Sequence, residues 1–282
     1  MEQSRKKFIQ QATLGVAATM AIPFAGKAAI AQKVSAQAAP ALPVGIAGYT
    51  FAKFDVEKSI AMMKRLDLHY LSVKDFHLPL DSSPEKIAAV LAQFAAAGIK
   101  VYTVGVIYMK TQEAVDTAFS YAKKVGVDMI VGVPNYDLLD YAEQKVKSTN
   151  IRLAIHNHGP EDLLYPSPKE VLERIKTRDT KMGLCMDIGH AKRTGANLEA
   201  AIKEAGPRLF DLHIKDVTGA LKEAKAIEIG RGVIDFPGVV KALRGISYKG
   251  LCSIEYEKDM TDPLPGIAES TGFFKGVITA GM

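Results

Sequence analysis

The chain has 282 residues, 48% of them hydrophobic and 24% charged, with a formal net charge of +5. That length suits one large α/β barrel or two ordinary domains, and the near-average composition excludes a disordered, collagen-like or disulfide-stapled protein. Two cysteines and no tryptophan leave no cysteine-rich zinc module.

The basic excess sits at the start. Residues 1–31 carry Arg5, Lys6, Lys7 and Lys27 against Glu2 alone, so the remainder is only slightly positive and gives no warrant for a nucleic-acid partner. A basic stretch over 4–10 is followed by an apolar run from Ala12 to Ala25, and Ala29-Ile30-Ala31 offers the small-x-small pattern of a cleavage site. The run is interrupted by Pro23 and is shorter than the roughly 20 residues of a membrane span. Residues 1–31 are therefore predicted to be an export signal. They resemble a twin-arginine signal with lysine in the second arginine position, and a general secretory signal fits them too. The expected location is periplasmic, with no membrane span after cleavage. Residues 32–43, rich in Gln, Ser, Ala and Pro, read as a linker. Export would permit a disulfide. Cys185 and Cys252 fall inside separate strand-like runs, however, and are expected to be buried free thiols.

From Val44 onward, short β-branched runs alternate with helix-period segments. The predicted strands are 44–51, 70–76, 100–107, 127–133, 152–158, 182–188, 208–215 and 250–256. Between them lie amphipathic stretches at 55–66, 84–97, 112–125, 168–176, 197–205 and 236–244, several with Pro, Asp or Ser starts and Gly stops. Such alternation implies a parallel sheet, and eight units over this length predict a single (β/α)8 TIM barrel. An open doubly wound sheet is the rival, but Gly45 and Gly48 do not make the phosphate loop it needs after its first strand.

Barrel chemistry sits at the C-terminal strand ends. Here those ends hold Lys74 and His77, His156 and His158, Asp187 and His190, His213 and Lys215, then Glu255 and Glu257. Alternation puts His156 and His158 on one face, as it does His213 with Lys215 and Glu255 with Glu257. His156, Asp187, His213 and Glu255 come from four successive strands at similar depth. Two imidazoles and two carboxylates form a mixed set suited to one divalent ion such as Mn, Co, Fe or Zn. Unpaired buried carboxylates would be costly without one. His158 is the preferred base or substrate contact, and Lys74 a cation that could stabilise an enolate.

These strand ends resemble the xylose-isomerase-like barrels, often named sugar phosphate isomerases/epimerases, over essentially all of residues 44–276. The family's recurring motifs are an acidic-Asn-His on strand five, where this chain has His156-Asn157-His158, then Asp-x-x-His on six, His-x-Lys-Asp on seven and Glu-Tyr-Glu on eight. To these is added a Gly-x-Gly-x-x-Asp loop, here Gly230 to Asp235. The resemblance implies a TIM barrel holding one divalent metal (Mn, Co, Zn, Fe or Mg) on Asp187, His213 and Glu255. It places His190 in substrate contact or proton transfer and Arg231 near the substrate. Lys215, Glu257 and His77 are further expected substrate contacts.

The chain departs from the family at strand five, where His156 replaces the family's glutamate. Family epimerases exchange a proton between two metal-bound glutamates, and here only Glu255 remains of that pair. With two carboxylates instead of three, a divalent centre is neutral and so a stronger Lewis acid toward a carbonyl or enediolate oxygen. The leading expectation is a metal-dependent sugar isomerase or epimerase that abstracts a proton next to the carbonyl of a sugar or keto-sugar. A lyase or hydratase on 3-keto-glycosides is the close alternative. A catalytically inactive sugar-binding barrel and an abasic-site endonuclease fit less well: several bases remain, and six histidines are too few for a three-metal nuclease.

Overall fold

The computed structural model describes residues 42–281. The expected signal over 1–31 and nearly all of the 32–43 linker lie outside them.

Eight parallel strands close into a barrel. They are β1 (Val44–Ala47), β2 (Tyr70–Val73), β3 (Lys100–Met109), β4 (Met129–Pro134), β5 (Arg152–His156), β6 (Met182–Asp187), β7 (Leu209–Ile214) and β8 (Cys252–Ile254). Each pairs with its neighbours in sequence, and β8 closes on β1 through Val44 beside Cys252. Every residue of β4 and β6 is buried, as expected for parallel strands covered on both faces.

The outer helices begin where the sequence supplies caps. Asp55, Ser83, Thr111, Ser167, Asn197 and Asp235 each accept a hydrogen bond from the backbone N–H three residues on. Pro84, Pro168 and Pro237 follow three of these caps in the first turn, where a missing N–H costs nothing. The six anticipated helices are observed within a residue of their expected ends. Helices over Leu139–Thr149, Ile188–Arg193 and Leu264–Ala280 were not anticipated.

Several strands are shorter than the β-branched runs suggest. β2 stops at Val73 because the backbone turns there: the N–H groups of His77 and Leu78 both donate to the Lys74 carbonyl, at 3.0 and 3.1 Å. β5 stops at His156, and His158 sits in the following loop, its N–H donating to the Tyr165 carbonyl at 2.9 Å. Conversely, β3 runs two residues beyond the expected Ile107.

Cys185 and Cys252 are buried and unpaired, as anticipated. Among the described residues, no helix is long and apolar enough to cross a membrane.

Candidate functional site

Each of the four expected donors is positioned by its own strand end. His156 closes β5 and Asp187 closes β6. The next residue of each strand is locked to its neighbour: Asn157 receives the Asp187 N–H and donates its side-chain amide to the Asp187 carbonyl, both at 3.1 Å. Asp187 also caps the short helix that follows, its Oδ1 accepting from the His190 N–H at 2.7 Å. His213 lies level with Asp187 in the β6–β7 ladder. Glu255 comes directly after β8, and its N–H donates to Ile214 at 3.0 Å.

The four side chains converge, with one ligand atom from each lying within 4.8 Å of all the others. His156 Nε2 stands 3.1 Å from His213 Nδ1 and 3.9 Å from Asp187 Oδ2, while His213 Nδ1 is 3.5 Å from Glu255 Oε2. All four are at most 5% exposed. Of the atoms that face one another, Asp187 Oδ2 is buried without a hydrogen bond, meeting the Lys215 ammonium only as an ion pair at 3.2 Å. Buried polar atoms are rarely left so. Two nitrogens and two oxygens facing one point fit a divalent first-row ion.

Lys215 departs from expectation. Its ammonium is 3% exposed and does not reach the cavity wall; it lies 3.2 Å from Asp187, 3.0 Å from Glu255 and 2.9 Å from Glu257. Burial opposes its charge, but the three carboxylates outweigh burial and hold its pKa well above the usual lysine range. The reciprocal effect holds Glu255 well below the carboxylate range: burial works against ionisation, and Lys215 and His213 prevail. At Asp187 burial wins over Lys215, and its pKa is raised. Lys215 thus organises the three acids.

Above the donors opens a cavity of about 240 Å³, lined by His156, His158, His190, Glu255 and Glu257 together with Lys74, Tyr49 and Tyr108. Lys74 donates to the Val106 carbonyl at 2.7 Å and pairs with Asp75 at 3.1 Å. Burial pushes the His158 pKa down, and burial with the nearby Lys215 charge pushes His190 down to about 3. Both imidazoles are therefore uncharged around neutral pH.

Two expected substrate contacts point elsewhere. His77 is buried beneath the rim, its Nε2 3.2 Å from the Ser59 hydroxyl, because the turn after Val73 swings it toward the first helix, Val56–Arg65. Arg231 is exposed and forks onto Glu269 of the last helix. The Gly-x-Gly loop that carries it is built around Asp216. That buried carboxylate accepts from the N–H groups of Val217, Gly230, Gly232 and Ile234. A side chain at Gly232 would collide with it, so this glycine is needed for close approach.

Two residues escaped the sequence reading. Tyr108 donates or accepts at His158 Nε2 over 2.9 Å and stacks on that ring, centroids 5.4 Å apart. Asp162 lies 3.6 Å from the other ring nitrogen of His158 and receives the N–H groups of Leu164 and Tyr165 at 2.7 Å each. Ending β3 at Ile107 hid the tyrosine, and a lone loop aspartate carries no pattern.

A larger cavity of about 790 Å³ opens at the opposite end of the barrel, among strand starts such as Lys100, Arg152 and Leu251. No cluster of orphaned donors or bases lines it, and its size does not outweigh the chemistry at the other end.

Comparison with known proteins bears on the fold and the family. A structure from Parabacteroides distasonis of a protein of unknown function is 28% identical, with TM-score 0.65 over 83% of this chain and 98% of that one. A structure of IolI with a bound zinc atom is 17% identical, with TM-score 0.71 over 86% and 99%. D-psicose 3-epimerase from Clostridium cellulolyticum H10, solved with D-tagatose, is 15% identical, with TM-score 0.68 over 84% and 98%. The last two likenesses are of fold. The chain matches less than half the length of its curated relatives, 42% and 43% of theirs. The family model of the xylose isomerase-like TIM barrel matches residues 55–277, and the chain belongs to that family.

Proposed function

We propose that this barrel is a metal-dependent enzyme that enolises a sugar or keto-sugar by removing the proton next to its carbonyl. The observation that carries the reading is the convergence of His156, Asp187, His213 and Glu255 beneath a cavity walled by two neutral imidazoles. Those four side chains would hold the ion, which when bound supplies Lewis acidity to a carbonyl or enediolate oxygen. The remaining chemistry belongs to the chain. His158 and His190, with ring centroids 6.0 Å apart, are the bases that would take the proton; Tyr108 holds the His158 ring through Nε2, and the Asp162 carboxylate lies beside Nδ1 at 3.6 Å. Glu257 and Lys74, which also line the cavity, offer polar contacts to sugar hydroxyls. The family and its epimerase neighbours support an isomerase or epimerase outcome.

One observation favours a second outcome, elimination from a 3-keto-glycoside. Both imidazole bases stand on the β5–β6 side, and with His156 at strand five no glutamate faces Glu255 as a second base. One base suffices to expel a leaving group, whereas epimerisation needs bases on both faces of the carbon.

Following free ketoses and 3-keto-glycosides by NMR in deuterated water tests both. Solvent deuterium next to the carbonyl is expected; product formed without it, with a nicotinamide consumed, sinks the enolisation reading. A retained substituent identifies an isomerase, and an expelled aglycone a lyase. We also propose that residues 1–31 are removed on export. N-terminal sequencing of fractionated protein that finds Met1 intact in the cytoplasm would refute this.

A further inference from the structure

The barrel mouth carries apolar surface that the proton chemistry leaves unused. Tyr49 and Phe76 are each 41% exposed and Tyr108 is 50% exposed. The Tyr49 and Phe76 rings are neighbours, with centroids 6.4 Å apart, and Phe76 is braced edge-on by buried His77 at 4.7 Å. Tyr108 is held flat against His158. Tyr49 and Tyr108 line the cavity and Phe76 does not, so aromatic surface leads from inside the cavity across Tyr49 to the rim. Scattered exposed apolar side chains are normal, but contiguous ones beside a polar site mark ligand-binding grooves.

Cavity size says what such a surface is for. About 240 Å³ falls below the roughly 300–1,000 Å³ of pockets that enclose drug-sized ligands. It accommodates one sugar ring and leaves a second group outside. The acids and bases all lie on the β5 to β8 side, so a ring presenting its carbonyl to them directs its far end toward Tyr49 and Phe76.

We infer that Tyr49 and Phe76 form a platform for an aglycone, and that the substrate is a glycoside whose linked group has a flat apolar face. Its keto-sugar ring occupies the cavity and the linked aryl or pyranosyl group lies across the two rings. This inference rests on the keto-sugar reading above. Aromatic contact of this kind is worth about two- to tenfold in affinity.

Calorimetric titration of the full chain with phenyl and methyl glucosides, in both anomeric forms, tests it without turnover, since these compounds lack the carbonyl. The phenyl compound of one anomer is expected to bind about two- to tenfold more tightly than its methyl counterpart. Tyr49→Ala and Phe76→Leu should each erase that preference, the leucine keeping bulk while removing the flat face. A disaccharide titrated alongside shows whether a pyranose uses the platform as an aryl group does, and loss of its affinity in Phe76→Leu would support the inference. Equal affinity for phenyl and methyl compounds, a preference that survives both substitutions, or no binding at all would overturn the platform. Deuterium exchange into 3-keto-glucose, which has no aglycone, judges the keto-sugar reading separately.

Discussion

Strands β5 to β8 bring His156, Asp187, His213, Lys215 and Glu255 to the barrel mouth, none more than 5% exposed, whereas β1 to β3 lead to Tyr49, Phe76 and Tyr108, none less than 41% exposed. Both sides occupy equivalent positions in the same fold, at or just past the C-terminal ends of parallel strands. On the charged side each group is buried because a neighbouring strand supplies its counter-charge, with Lys215 touching acids from β6 and from beyond β8. Such networks tolerate no missing member, since an orphaned buried charge costs about 3–5 kcal/mol. The aromatic side tolerates change but leaves apolar surface in water. One side is built to hold a reaction still; the other to accept something that arrives.

The largest expected effect comes from breaking the charged side at its centre. Asp187→Ala should abolish metal retention, read by elemental analysis, and lower turnover by about 10³-fold or more. Full activity without metal would show that the four donors are merely structural. Next, His158→Ala and His190→Ala should each reduce turnover by about 10²–10⁴-fold with metal content unchanged. If either instead empties the site, it belongs with the donors.

A smaller effect tests the layer below. Asp211 is buried under His213 and bonded to the Tyr102 hydroxyl at 2.8 Å, and burial raises its pKa to about 6. Its folded value exceeds its unfolded one, so the stability it contributes is complete below about pH 4 and is lost as pH rises through 6. Urea unfolding should show wild type losing on the order of 3 kcal/mol across that window relative to Asp211→Asn. Parallel curves for the two proteins would contradict this. The smallest effect is at Arg231. Its exposed pair with Glu269 is screened by water, so Arg231→Ala should shift the melting temperature little and leave KM unchanged. A large rise in KM would return Arg231 to the substrate.

The barrel, its strand order and the four converging donors were legible because they follow from periodicity: β-branched runs mark the strands and parity chooses the inward face. What periodicity does not encode is where each strand lets go. His77 was misplaced because the turn after Val73 redirects it, and Tyr108 was missed because β3 continues past Ile107. Lys215 shares the inward face of His213 as alternation requires, but parity says nothing about which partner its ammonium meets. Arg231 was placed by resemblance alone, and its choice of Glu269 is a long-range pairing between loop and final helix.

Asp216 holds its loop through four backbone amides spread from Val217 to Ile234, so one carboxylate, and not a run of sequence, fixes that shape. The intervening residues take no bond from Asp216: Thr218 and Lys225 pair with each other, and the tip between them meets the rest of the barrel through Arg193, which reaches the Lys222 carbonyl from the helix bearing His190. Evolution can therefore lengthen, shorten or rewrite this tip without disturbing the clamp.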